Sequence, residues 1–141
     1  LLAFIHQESS FKPDAQPERT TFLGVIPGPR KSSSYGYTQA LDSTWKEYQD
    51  KTGNRRASRG SFHDAVDFIG WYNYQGFLRN GIERNNTYYM YIAYHEGHGG
   101  YADKSWLKDV STKVANRAIE YHKQLESCRA TLNRGASWWV F

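Results

Sequence analysis

The sequence contains a single cysteine, Cys128, and a single methionine. One thiol cannot close a disulfide within the chain, so no cystine framework holds this fold. No apolar run approaches the roughly 20 residues that a membrane-spanning helix needs, and no stretch reads as a secretion signal. Proline is scarce, and all four prolines fall between positions 13 and 29, which marks that stretch as a long loop. Neither sign of charge dominates. Lysine and arginine number 18 against 14 aspartates and glutamates, a net charge of +4. That excess suits an anionic partner but is too small and too scattered for nucleic acid. Basic residues concentrate only at Arg55, Arg56 and Arg59, and the pair Arg55-Arg56 reads as a solvated loop after the Thr52-Gly53-Asn54 turn. Internal repeats and linker-like segments are absent as well.

What is present is a chain of 141 residues, enough for one domain with a real core. Aromatic residues make up 16% of it, including five Trp and eleven Tyr. Flat rings of this kind stack on sugars, although most are expected to pack the core. The pattern is that of a mainly helical single domain. A helix is predicted over residues 1–10. A loop follows over residues 11–35, with a short strand or hairpin around residues 20–26. A second helix, capped by Asp42 or Ser43, ends at Gly53. A third opens on the capping sequence Ser61-Phe62-His63-Asp64 and runs to about residue 77, with Gly70 marking close packing. A fourth starts at Asn85-Asn86-Thr87 and stops at Gly97. The last, capped by Ser105, has the face Leu107, Val110, Val114, Ala118, Tyr121, Leu125. Residues 130–141 read as a tail. The chain opens on no Met and midway through an apolar helical pattern, so upstream residues are expected in the natural protein.

The most informative residue is Glu8. It follows the apolar run Leu1-Leu2-Ala3-Phe4-Ile5 and precedes Ser9, Ser10 and the stop signal at Pro13. A carboxyl there sits at the negative end of a helix dipole and against packed apolar side chains. Both raise its pKa, and a glutamate held partly protonated near neutrality can serve as a general acid. The alternative is a solvated charge at a helix end.

Three segments occur in order: Glu8-Ser9-Ser10-Phe11-Lys12-Pro13, then Gly36-Tyr37-Thr38-Gln39-Ala40-Leu41 leading to Thr44, then Ala93-Tyr94-His95-Glu96-Gly97-His98-Gly99. Together, over residues 1–125, they resemble the motifs of the lytic transglycosylase family with a goose-type lysozyme-like domain. That family shows Glu-Ser-x-Phe-x-Pro, Gly-Leu-Met-Gln-x-x-Pro-x-Thr and Ala-Tyr-Asn-Ala-Gly-x-Gly. Here Tyr37-Thr38 replaces Leu-Met, Asp42 or Ser43 stands for the Pro, and His95-Glu96 replaces Asn-Ala.

The resemblance implies a lysozyme-like, mainly α fold with a loop or small hairpin near the active site. It implies peptidoglycan glycan strands as substrate and one glutamate, Glu8, acting as acid and then as base. Gln39 matches the glutamine beside the acid, and Tyr94 the tyrosine whose hydroxyl lies near the catalytic carboxyl. Tyr37, Leu41 and His95 join them as candidate sugar contacts. Ser9 is either another or a satisfier of the helix end. The expected setting is the bacterial envelope, periplasmic, for a monomer without cofactor; the missing upstream residues hide any secretion signal, lipid-anchor cysteine or partner for Cys128.

Glu96 stands where the family has Ala. It is either a second carboxylate in the site, raising the pKa of Glu8 by like-charge repulsion or activating water as the base of a muramidase, or a solvated charge. The sequence His95-Glu96-Gly97-His98 is not a zinc motif, because the histidines are three rather than four apart and glycines break the helix. Trp138-Trp139 is either a stacking platform or a tail folded back on the core. A non-catalytic peptidoglycan-binding domain is the remaining alternative.

Overall fold

The computed structural model describes residues 1–22, 26–102 and 108–136. The described residues form five helices and one hairpin: α1 (Leu2–Ser9), β1 (Arg19–Phe22), β2 (Ile26–Arg30), α2 (Asp42–Thr52), α3 (Phe62–Asn80), α4 (Thr87–Ala102) and α5 (Lys108–Ala136). This is the mainly helical architecture with a small antiparallel hairpin that the sequence implies.

Helix α1 is the centre of the molecule. Ala3, Phe4 and Ile5 are buried to 1% exposure or less. Phe4 meets Tyr91 and Tyr94 of α4 edge-on, with ring centroids 5.1 and 5.3 Å apart. On its other flank α1 packs against α5, where His6 Nδ1 lies 2.6 Å from the Tyr121 hydroxyl and Arg117 donates to Gln7 Oε1. A second aromatic cluster joins α2 to α3 through Trp45, Tyr48, Phe68 and Trp71. Burying these rings is the main favourable term of the fold.

Helix boundaries follow local chemistry. Helix α1 stops at Ser9 because Ser10 and Phe11 both turn left-handed, at φ 50° and 62°, ahead of Pro13. Gly53 and Gly81, left-handed at φ 75° and 66°, end α2 and α3. Ser61 Oγ accepts from the Asp64 N–H as an N-cap should. Asn86 Oδ1 accepts from the Tyr89 N–H at the start of α4.

Several expectations change. Neither Asp42 nor Ser43 caps α2. Leu41 holds the cap position, Ser33 Oγ accepts from the Asp42 N–H, and the Asp42 carboxylate pairs with Arg59 instead. Helix α3 runs on to Asn80, because its first strong stop is Gly81. Gly70 marks no close approach, since a Cβ there would meet nothing within 4 Å. At Gly97 (φ 76°, ψ 161°) the chain kinks, then resumes a helix to Ala102. Helix α5 continues through residues 130–136, where a tail was expected; no proline interrupts that stretch. Val114 of its predicted face is fully buried, whereas Leu125 is exposed. Ser105, Leu107, Trp138 and Trp139 lie outside the described residues.

Candidate active site

A cleft of about 570 Å³ opens between the end of α1, residues 32–44, α3 and the kinked end of α4. Each element delivers side chains for a local reason. Helix α1 ends at Ser9, so Glu8 leaves the core at the cleft floor. Helix α4 breaks at Gly97, so Tyr94, His95 and Glu96 reach the opposite wall. The segment before α2 supplies Ser32, Ser34, Gln39 and Leu41, the first turn of α2 supplies Thr44, and α3 supplies Phe68 and Tyr72.

Glu8 is largely enclosed. Burial pushes its carboxyl above the usual carboxylate range, while the Tyr91 hydroxyl and the nearby His95 pull in the other direction. The Tyr91 hydroxyl donates to Glu8 Oε1 at 2.6 Å. Tyr91 is itself buried beside this carboxyl, and both conditions raise the pKa of its phenol, so it stays a donor. Glu8 is therefore a partly buried carboxyl at the cleft, oriented by the Tyr91 hydroxyl. Burial is the largest cause of the upward shift.

The other candidates sort by position. Tyr94 lines the cleft, but its hydroxyl donates to the Thr38 carbonyl at 2.7 Å, and the hydroxyl on the acid belongs to Tyr91. Gln39 lines the cleft with its amide already engaged. Nε2 donates to the carbonyls of Ala15 and Gly36 at 2.9 and 2.8 Å, and Oε1 accepts from Ser34 Oγ at 3.3 Å. Both of its donors are thus spent inside the protein, and its carbonyl oxygen keeps one lone pair for a ligand. Leu41 stands in the groove 46% exposed rather than in the core. His95 and Glu96 face each other on the wall, Nδ1 to Oε1 at 3.3 Å. Ser9 is buried and donates to the Ile5 carbonyl, so it satisfies the helix end. Tyr37 packs edge-on to Phe62 and does not line the cleft.

Sequence reasoning missed Tyr91, Tyr72, Phe68 and the two serines. Tyr91 had a readable signal, because it lies one helical turn before Tyr94 on the same face. Tyr72 donates to the Ala93 carbonyl, and burial pushes its phenol up to about 12. Ser10, Phe11 and Gln39 are the non-glycine residues with positive φ among the described residues; Gln39 lines the cleft, and the other two end the helix that carries Glu8. Among the described residues no three His, Cys, Asp or Glu side chains gather as a metal ion would require.

A family model described as Transglycosylase SLT domain matches residues 1–128. The chain belongs to this family. The match spans all of the described structure except the last part of α5 and takes in every residue of the cleft. Comparisons with curated proteins and with solved structures return no match. Membership makes this SLT domain a transglycosylase type, with peptidoglycan as the implied substrate and an extracytoplasmic or envelope setting. No helix among the described residues of the SLT domain is long and apolar enough to cross a membrane.

Proposed function

We propose that this SLT domain is a peptidoglycan lytic transglycosylase. It cleaves the β-1,4 bond between N-acetylmuramic acid and N-acetylglucosamine without water and leaves a 1,6-anhydro end. The observation that carries this reading is the enclosed Glu8 carboxyl on the floor of a polar cleft, oriented by Tyr91.

Burial raises the pKa of Glu8, which favours the protonated form that a general acid needs. Glu8 gives that proton to the glycosidic oxygen, and the C1–O bond of the muramic acid breaks with its electrons going to the leaving alcohol. The neighbouring N-acetyl oxygen supports the positive charge that develops at C1. Glu8, now a carboxylate, accepts a hydrogen bond from Tyr91 and takes the proton of the C6 hydroxyl. Oxygen 6 then bonds to C1, and Glu8 is again protonated. One carboxyl suffices because it is acid and base in turn. Ser32, Ser34, Leu41 and His95 are the side chains that meet the sugars, with Gln39 supplying an acceptor. The domain works as a monomer without a cofactor, as one domain in the periplasmic envelope.

One observation favours a second reading. Glu96 lines the same cleft as Glu8, and a carboxylate there can activate water, which would make the chain a muramidase. Mass spectrometry of the products from purified sacculi separates the two. Anhydro-muramyl ends support the transglycosylase, reducing ends the hydrolase, and no soluble product would leave only a binding domain.

A further inference from the structure

The cleft wall at residues 32–41 carries Ser32, Ser34, Gln39 and Leu41, yet it holds little regular structure. It contains a 3-10 turn at Gly36–Thr38 and a bridge between Tyr35 and Ala40. A stretch this irregular keeps its shape only if its backbone polar groups find partners elsewhere. Arg59, from the loop between α2 and α3, supplies them. Its Nη1 donates to the carbonyls of Ser33 at 3.0 Å and Ala40 at 2.8 Å, and its Nη2 to Asp42 Oδ1 at 2.6 Å. The guanidinium carbon lies 5.4 Å from the Tyr35 ring centroid. The Arg59 backbone contributes as well. Its carbonyl accepts from the Tyr37 N–H at 3.1 Å, and Gly36 sits so close to that carbonyl that any Cβ would overlap it.

The loop basic residue is therefore no solvated charge. Its side chain is only 20% exposed, and it bonds both ends of the wall at once. A planar fork with five donors can do this, whereas an ammonium on a flexible stem cannot reach the same acceptors together.

We propose that Arg59 is a positioning residue that sets the shape of the residue 32–41 wall and thereby the affinity of the cleft for glycan. The affinity part rests on the peptidoglycan reading above; the positioning part does not. Arg59 touches neither Glu8 nor Tyr91, so it acts on binding and leaves the proton chemistry alone.

Hydrogen exchange and steady-state kinetics on Arg59→Ala, Arg59→Lys and the exposed control Arg55→Ala test this. In Arg59→Ala the amides of Gly36, Tyr37 and Asp42 exchange at least about tenfold faster while those of α1 and α3 keep their protection. KM for solubilised glycan strands rises about fivefold or more, kcat stays within about twofold, and the pH profile does not move. Arg59→Lys remains impaired, and Arg55→Ala behaves as wild type. Unchanged exchange at the wall overturns the proposal. So does faster exchange throughout α1 and α3 with kcat falling alongside, which marks an ordinary stabilising residue. If the wild-type chain releases no product but Arg59→Ala still loosens the wall alone, the positioning stands and the catalytic reading falls.

Discussion

The Tyr91 hydroxyl donates to Glu8 Oε1 at 2.6 Å, from a side chain that is itself 1% exposed. A buried donor of this kind stabilises the carboxylate form and offsets part of the burial that disfavours it. Tyr91→Phe deletes the donor and keeps the ring. The Glu8 pKa then rises further. Because the acid must be protonated to act, the high-pH limb of kcat/KM moves to higher pH. The base step weakens at the same time, so the plateau rate falls, by about 10-fold or more if the lost bond to a charged group is worth 1.5–3 kcal/mol. A pH profile identical to wild type would remove Tyr91 from the site.

Glu8→Gln abolishes release of product, by at least about 100-fold, since an amide cannot donate the proton. It should also stabilise the fold. The folded pKa of Glu8 is raised, so the folded state holds its proton more tightly than the unfolded state. The stability this contributes is fully present below the unfolded pKa and is lost as pH rises through the folded one. The gain from Glu8→Gln is thus larger at pH 8 than at pH 4. Thermal unfolding at the two pH values reads it directly, each kcal/mol being worth about 2–8 °C. Equal shifts at both would mean that Glu8 is solvated.

Tyr94→Phe acts through the wall rather than through the acid. It leaves the Thr38 carbonyl without its donor, on a residue that is fully buried. A stability loss of about 1–3 kcal/mol is expected, with the high-pH limb unmoved. Denaturant titration alongside a pH profile checks both halves. A limb that shifts as in Tyr91→Phe would show that the two tyrosines share one role.

Glu96→Ala decides the choice of reaction. If the single-glutamate mechanism holds, anhydro products persist in the mutant at a rate within about threefold of wild type, since removing a group away from the proton transfers leaves most transition-state binding intact. Should Glu96 be a hydrolytic base, reducing-end products vanish instead. Isotope labelling with heavy-oxygen water scores the two outcomes in one spectrum.

Helix ends were readable in the sequence because a cap or a left-handed glycine acts within four residues. Ser61 caps α3 through the Asp64 N–H, and Gly53 ends α2. Glu8 was legible for the same reason, as a carboxyl at the end of an apolar helix. The motif spacing also placed Gln39, Tyr94, His95 and Glu96 near the acid, and all four line the cleft with Glu8.

Which hydroxyl meets Glu8 was not legible. Tyr91 and Tyr94 lie one turn apart on the face of α4 that meets α1, and both rings pack against Phe4. The choice depends on how α1 and α4 slide along each other, across 83 residues of sequence. Gln39 shows the same limit: its residue type marks it as polar and cleft-bound, but Ala15 and Gly36 had to come within reach before its donors were spent. Arg59 gave no sign of its role because its acceptors belong to residues 33–42, brought to it only when the loop before α3 folds over them. Propensity, caps and motifs are local, so the sequence alone determined the helices and the place of the Glu8 carboxyl at the end of α1. Hydrogen-bond partners require heavy atoms near 3 Å, a precision that only the packing of distant segments supplies.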